Sequence, residues 1–294
     1  MHISSSTSLI TKLSCYGDPT DLTQCFQWYK QAGFSYADVS LWDYCFGEGP
    51  MTHDGAEKWA EQQRSIADAL GITVHQTHGY TLAGLQWDDP TCPYYDTFTE
   101  RNLRCIRATR ILGAKWMVVH PTNLPHAPLY NPKAAKEANL AYLAPLIEEA
   151  KKQGVGLAVE NMVDYSRNRR RYCGGDPYEL LDLVDTIHDP AVGICIDTGH
   201  AHQAGMDVPA FIRLVGDRLK ATHINDNPRD GTKDSHLMPY RGGICWQEVS
   251  AALKEIGYRG DFSYELAHVQ LPAEAIPAWL KSLYTLGESI IKNG

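Results

Sequence analysis

The chain predicts an α/β fold, a single (β/α)8 TIM barrel domain over residues 1–294, and three observations carry that expectation. Short β-type runs recur every few tens of residues, with amphipathic helical stretches between them. The runs Met117-Val118-Val119, Leu157-Ala158-Val159 and Ile194-Cys195-Ile196 are continuously apolar, as parallel strands covered on both faces should be. No Pro/Gly/Ser-rich linker interrupts the alternation, and 294 residues suit one barrel. The alternative is an open doubly wound sheet. It lacks its usual nucleotide signatures, because neither GxGxxG after the first strand nor GxxxxGK[ST] occurs.

Taken in order, the first strand is expected at His2–Ser8 and the second at Tyr36–Trp42. A helix over Ala56–Leu70 stops at Gly71, and the third strand follows at Ile72–Thr77. Strand four is Trp116–His120. The helix Lys133–Gln153 stops at Gly154 and leads into strand five, Gly156–Glu160. Strands six and seven are Val192–Asp197 and Leu219–Ile224. A helix over Trp246–Ile256 ends at Gly257 before strand eight, Asp261–Glu265. The longest βα loops fall near 43–54, 79–97, 121–131, 161–176 and 225–245, which a barrel gathers on its catalytic face.

Composition narrows the class. With 44% hydrophobic and 21% charged residues, the chain can build a large core, which excludes disorder, collagen and a coiled coil. No apolar run approaches the ~18 residues of a membrane span. The start, Met1-His2-Ile3-Ser4-Ser5-Ser6, has neither a basic stretch nor a long apolar one and so is not a signal peptide. Eight cysteines form no CxxC pair, and Cys195 sits in an apolar run as a buried thiol, so a reduced, cytoplasmic protein is expected. The net charge of −8 disfavours a surface that coats nucleic acid.

Polar residues gather where strands end: His78, His120, Glu160, Asp197 with His200, His223 with Asp226, and Glu265. A barrel brings strand C-termini to one rim, and mixed carboxylate and imidazole donors suit a divalent ion such as Zn²⁺ or Mn²⁺. Each has a blander reading. Glu160 could cap the next helix, His200 could do the same, and a lone His223 would be a hydrogen-bonded core residue. Four aligned strand ends, Glu160, Asp197, His223 and Glu265, argue for ligands. Asp234-Ser235-His236 has a chelating spacing, while His78 and His120 could each be a ligand, a substrate contact or a structural histidine. Trp42 and Arg241 are further substrate-contact candidates. Trp42, Trp87, Trp116 and Trp246 could each wall a sugar ring or pack the core. The run Arg167-Asn168-Arg169-Arg170-Arg171 could hold a phosphate or carboxylate, or be a solvated loop.

The motifs Val-Val-His120-Pro, Val-Glu160-Asn, Ile-Asp197-Thr-Gly-His200-Ala-His202, Thr-His223-Ile-Asn-Asp, Asp234-Ser-His236-Leu-Met-Pro and Tyr-Glu265 follow one another along the whole chain. In that order they resemble the xylose-isomerase-like barrel superfamily, which holds sugar-phosphate isomerases and epimerases, inosose dehydratases and endonuclease IV. The resemblance implies one divalent metal (Mn²⁺, Zn²⁺ or Co²⁺) on Glu160, Asp197, His223 and Glu265. Glu160 and Glu265 would also be the acid/base pair, with His200 orienting substrate. The endonuclease branch implies a three-zinc cluster that adds His78, His120, His200, Asp234 and His236. One departure is the loop after His236, which is Pro-Tyr-Arg-Gly-Gly where Pro-Gly-x-Gly is commoner.

The expected activity is therefore a metal-dependent isomerase or epimerase of a small sugar, sugar phosphate or keto-polyol, through a metal-stabilised enediolate. The alternatives are an inosose-dehydratase-like or other carbohydrate lyase, a zinc phosphodiesterase on abasic DNA, and a non-catalytic sugar-binding subunit. The expected partner is a small carbohydrate, with neither nucleic acid nor membrane; exposed aromatics are compatible with a homo-oligomer.

Overall fold

The computed structural model describes residues 1–10, 21–81, 95–122, 130–163, 173–229, 233–269 and 271–294. Its strands are β1 (His2–Ser5), β2 (Tyr36–Ser40), β3 (Thr73–His78), β4 (Trp116–Val119), β5 (Gly156–Glu160), β6 (Val192–Asp197), β7 (Leu219–His223) and β8 (Asp261–Tyr264). Strands β2 to β7 pair in chain order and β1 pairs with β8, all in parallel. Parallel bridges Ser6↔Asp38 and Ile224↔Tyr264 join the two sheets, so the ring closes.

The helices are α1 (Leu22–Ala32), α2 (Ala56–Leu70), α3 (Tyr95–Leu112), α4 (Pro132–Gln153), α5 (Pro177–Ile187), α6 (Thr198–Gln203), α7 (Val208–Val215), α8 (Trp246–Glu255) and α9 (Ile276–Asn293). They surround the strands and bury their apolar stripes on them. The expected stops hold: α2 and α4 end on Gly71 (φ 68°) and Gly154 (φ 70°), the left-handed conformation that costs glycine least. Asn131 caps α4 by accepting the Ala134 N–H at 3.2 Å, which starts it at Pro132. No described helix is long and apolar enough to cross a membrane.

Strands β4, β7 and β8 end one residue sooner than expected, and β1 and β2 stop further short. β1 gives way to a 3₁₀ turn, Thr7–Leu9, whose Ser6 cap accepts the Ser8 N–H. β2 gives way to another, Leu41–Tyr44, so Trp42 lies just above the strand. Two of the tryptophans offered as sugar walls pack instead. Trp246 is fully buried and donates its Nε1–H to Asp226 Oδ2 at 3.1 Å. Trp116 begins β4 at the opposite end of the barrel, against Gly156 and beneath Lys220. Trp87 and the Arg167–Arg171 run lie outside the described residues.

Strand periodicity explains the barrel's interior. On β4 to β7 the inward residues Val118, Ala158, Cys195 and Ala221 form a sealed apolar plug. Two residues further along the same strands come His120, Glu160, Asp197 and His223, on the same face. The polar rim therefore rests on an apolar floor. Burial pushes the Cys195 thiol up to about 12, so the expected buried thiol is there and protonated. The β6–β7 register shifts between Ile194 and Cys195, skipping Lys220, and this sets Asp197 beside His223.

Candidate metal centre

Glu160 ends β5, Asp197 ends β6, His223 ends β7, and Glu265 follows β8 directly. One ligand atom from each lies within 4.8 Å of every other. His223 Nδ1 is 3.2 Å from Glu160 Oε1 and 3.3 Å from Glu265 Oε2. Glu160, Asp197 and His223 are fully buried; Glu265 is partly open.

Two further groups share this quartet's members. His78, His120 and Glu160 form one, with His120 Nε2 3.1 Å and His78 Nε2 3.5 Å from Glu160 Oε2. Asp197, His200 and His236 form the other. Asp234 Oδ2 lies between the two imidazoles of that group, 2.8 Å from His200 Nε2 and 2.6 Å from His236 Nε2. All nine residues singled out from the sequence thus meet in one pocket.

Three observations fit these residues to a divalent cation. Glu160 Oε2 is fully buried with no hydrogen-bond partner among the described residues. Second, His78, His200 and His236 each spend Nδ1–H on a backbone carbonyl, of Gly79, Asn161 and Glu265, and turn Nε2 inward. That is how metal-binding imidazoles are commonly held. Third, three carboxylates at this spacing repel in a buried setting unless a cation joins them.

The side chains by themselves balance charge through imidazolium–carboxylate pairs. Burial would raise Glu160, but the charges of His223 and His120 outweigh it and hold the carboxyl well below its usual range. Burial would likewise lower His200, yet Asp197 and Asp234 hold it well above 6.5. His236 is driven to about 10, burial being overcome by Asp234. Asp197 goes the other way, to about 6, because burial and the neighbouring glutamates exceed the pull of His200 and His236. Burial, helped by the neighbouring His78 and His200, lowers His120 despite the pull of Glu160.

A belt of amides and turns fixes the carboxylates. Asp197 Oδ1 accepts the His200 N–H at 2.6 Å, and Asp197 Oδ2 accepts Asn225 Nδ2 at 2.6 Å. Asn161 exchanges two bonds with the Asp197 backbone, and Asn227 Nδ2 donates to Asp234 Oδ1 at 2.9 Å. Asp226, grouped with His223 in the sequence, serves the loop instead: it accepts from Trp246, Ile244 and Asn227. The antiparallel bridge Asp226↔Leu237 then holds His236 at a left-handed φ of 40°. Sequence reasoning passed over Asn161, Asn225, Asn227 and Asp38. The available signal was polar residues at alternate positions, as in His223-Ile-Asn225-Asp-Asn227.

The remaining candidates lie at the rim. Trp42 is half-buried, donates Nε1–H to Thr81 O at 2.6 Å and meets Phe46 edge to face. Arg241 is exposed on the loop after β7.

Comparison with known proteins identifies the fold and family. An uncharacterized protein of Methanocaldococcus jannaschii is 30% identical over 159 residues, 54% of this chain and 53% of its own. "Probable endonuclease 4" of Geobacillus sp. is 32% identical over 145 residues, 45% of each chain. The chain spans about half the length of these curated relatives. Among solved structures, a D-tagatose 3-epimerase-like protein superposes with a TM-score of 0.74 at 22% identity, covering 99% of this chain and 98% of that one. A D-psicose 3-epimerase gives 0.75 at 13% identity, with 99% of both chains covered. Those identities speak for the fold. The model of the xylose isomerase-like TIM barrel matches residues 26–283, most of the barrel and every donor described above, and the chain belongs to that family.

Proposed function

We propose that the protein is a metal-dependent isomerase or epimerase acting on a small carbohydrate. The observation that carries this is the quartet Glu160, Asp197, His223 and Glu265, whose ligand atoms all lie within 4.8 Å. They would hold a divalent ion, Mn²⁺, Zn²⁺ or Co²⁺, which when bound supplies Lewis acidity to a substrate carbonyl and the adjacent hydroxyl. Glu160 and Glu265 face His223 Nδ1 from two strands, so a substrate carbon seated between them has a carboxylate on each side. One removes the proton α to the carbonyl and the other returns a proton, to the opposite face for epimerisation or to the neighbouring carbon for isomerisation. His200 directs Nε2 toward the pocket and orients a substrate oxygen. Trp42, His78, His120 and Arg241 are proposed to contact the sugar. The fold neighbours described as sugar 3-epimerases support this reading.

A second reading, a multi-zinc phosphodiesterase, has its own observation: the two flanking donor groups that bring in His78, His120, His200, Asp234 and His236. Elemental analysis of protein reconstituted with excess Zn²⁺ or Mn²⁺, paired with ketose incubation in D₂O, decides between them. We expect about one tight ion per chain and solvent deuterium at the carbon next to the carbonyl, both lost in Glu265→Gln. Three ions per chain with no deuterium uptake would overturn the carbohydrate reading in favour of the phosphodiesterase.

A further inference from the structure

β2 sends none of the nine donors into the pocket, yet it carries a fully buried carboxylate, Asp38, at an inward position. Asp38 Oδ2 accepts Gln76 Nε2 at 2.8 Å and Ser263 Oγ at 3.1 Å. Gln76 Nε2 also donates to Thr222 O at 3.2 Å, so the amide that grips Asp38 is itself clamped. The β2–β3 register shifts between Ala37 and Asp38, which sets Gln76 rather than His75 beside Asp38. Two neutral donors are thin compensation for burying a carboxylate. The next polar atom facing Asp38 Oδ2 is His223 Nε2, at 3.4 Å.

His223 differs from the other pocket histidines in which nitrogen faces inward. His78, His200 and His236 spend Nδ1–H on backbone carbonyls and present Nε2. His223 presents Nδ1 to Glu160 and Glu265, and its Nε2 is buried with no hydrogen-bond partner among the described residues. The ring plane is set by stacking on His78, with centroids 5.4 Å apart and 12° between planes. Stacking cannot choose between the two faces of a ring flip, which would swap Nδ1 for a carbon.

We propose that Asp38 is the positioning residue for His223, taking its Nε2–H and so directing the Nδ1 lone pair at the Glu160–Glu265 side of the pocket. The inference rests on the metal-centre reading above, and the same experiment separates the two. Co²⁺ binding is followed by visible absorption and competition with a chelator, on the whole chain, for the unaltered protein and Asp38→Asn. We expect Asp38→Asn to bind Co²⁺ about 10- to 100-fold more weakly, with altered d–d bands and near-native circular dichroism. Histidine-selective ¹⁵N NMR of the unaltered, Zn²⁺-loaded protein should show His223 protonated at Nε2, a readout that needs no variant to fold. Equal Co²⁺ affinity in Asp38→Asn, or a His223 proton at Nδ1, overturns the role of Asp38 and leaves the metal centre standing. No Co²⁺ binding by the unaltered protein overturns both.

Discussion

At the residue scale, four of the pocket's histidines hold protons that a bound cation would displace. Against the lowering effect of burial, neighbouring carboxylates hold His200 and His78 above 6.5, Cys195 with Glu265 and Glu160 does the same for His223, and His236 rises to about 10. A cation needs those nitrogens free, so binding releases protons and tightens as pH rises. Calorimetry of Zn²⁺ binding near pH 6, in buffers of different ionisation enthalpy, should report at least one proton released per ion. A buffer-independent heat would contradict it. Six of the candidate donors, His78, His120, Glu160, Asp197, His223 and Glu265, were legible from the sequence because each closes a β-type run. Asp38 was not: an aspartate inside a strand looks like any polar residue until a bulge and a neighbouring histidine give it a partner.

At the scale of elements, two glycines separate local conformation from packing. Gly154 caps α4 at φ 70° with nothing within 4 Å of a built Cβ, so Gly154→Ala costs only the left-handed backbone, about 1 kcal/mol. Gly199, in the first turn of α6, is different: a Cβ there would lie 1.7 Å from Asn225 Oδ1 and 3.3 Å from Asn227 Nδ2. These amides hold Asp197 and Asp234. Gly199→Ala should therefore weaken metal binding about tenfold or more, while Gly154→Ala lowers the thermal midpoint by roughly 2 °C and leaves metal affinity alone. Thermal melts and chelator competition on both variants check this, and a Gly199→Ala protein with native affinity would refute it. Helix stops at Gly71 and Gly154 were legible because glycine after an amphipathic stretch is a local signal. The early ends of β1 and β2 were not, since 3₁₀ turns there depend on Ser6 capping and on the packing of Leu41 and Tyr44.

For the molecule as a whole, the end of the barrel opposite the candidate metal centre carries a pH-dependent tie between strands distant in sequence. His75 on β3 lies 2.5 Å from Asp261 on β8. That hydrogen bond outweighs burial and raises the histidine above 6.5. The sign follows: a raised native value adds stability that is fully present below pH 6.5 and lost as pH climbs through the native value. The imidazole is about one-third open, so solvent keeps the gain to roughly 1 kcal/mol or less. Urea unfolding of the unaltered protein and His75→Gln should differ most near pH 6 and converge at higher pH; a constant gap would argue against the pair.

By itself, the sequence determined the alternation of strand and helix, the helix stops and the polar residues at strand ends, His78, His120, Glu160, Asp197, His223 and Glu265. These are local properties: period-two burial, glycine conformation and the chemistry of side chains. Tertiary structure alone decided three other things. It placed the rim on the Val118, Ala158, Cys195 and Ala221 plug, and it set Asp197 level with His223 through a register shift at Lys220. It also turned Trp246 and Asp226 from candidate site residues into a buried hydrogen bond beneath the loop. The physical reason is common to all three. Strand register and barrel stagger are settled by pairing between segments tens of residues apart, and no local pattern encodes which residues will stand side by side.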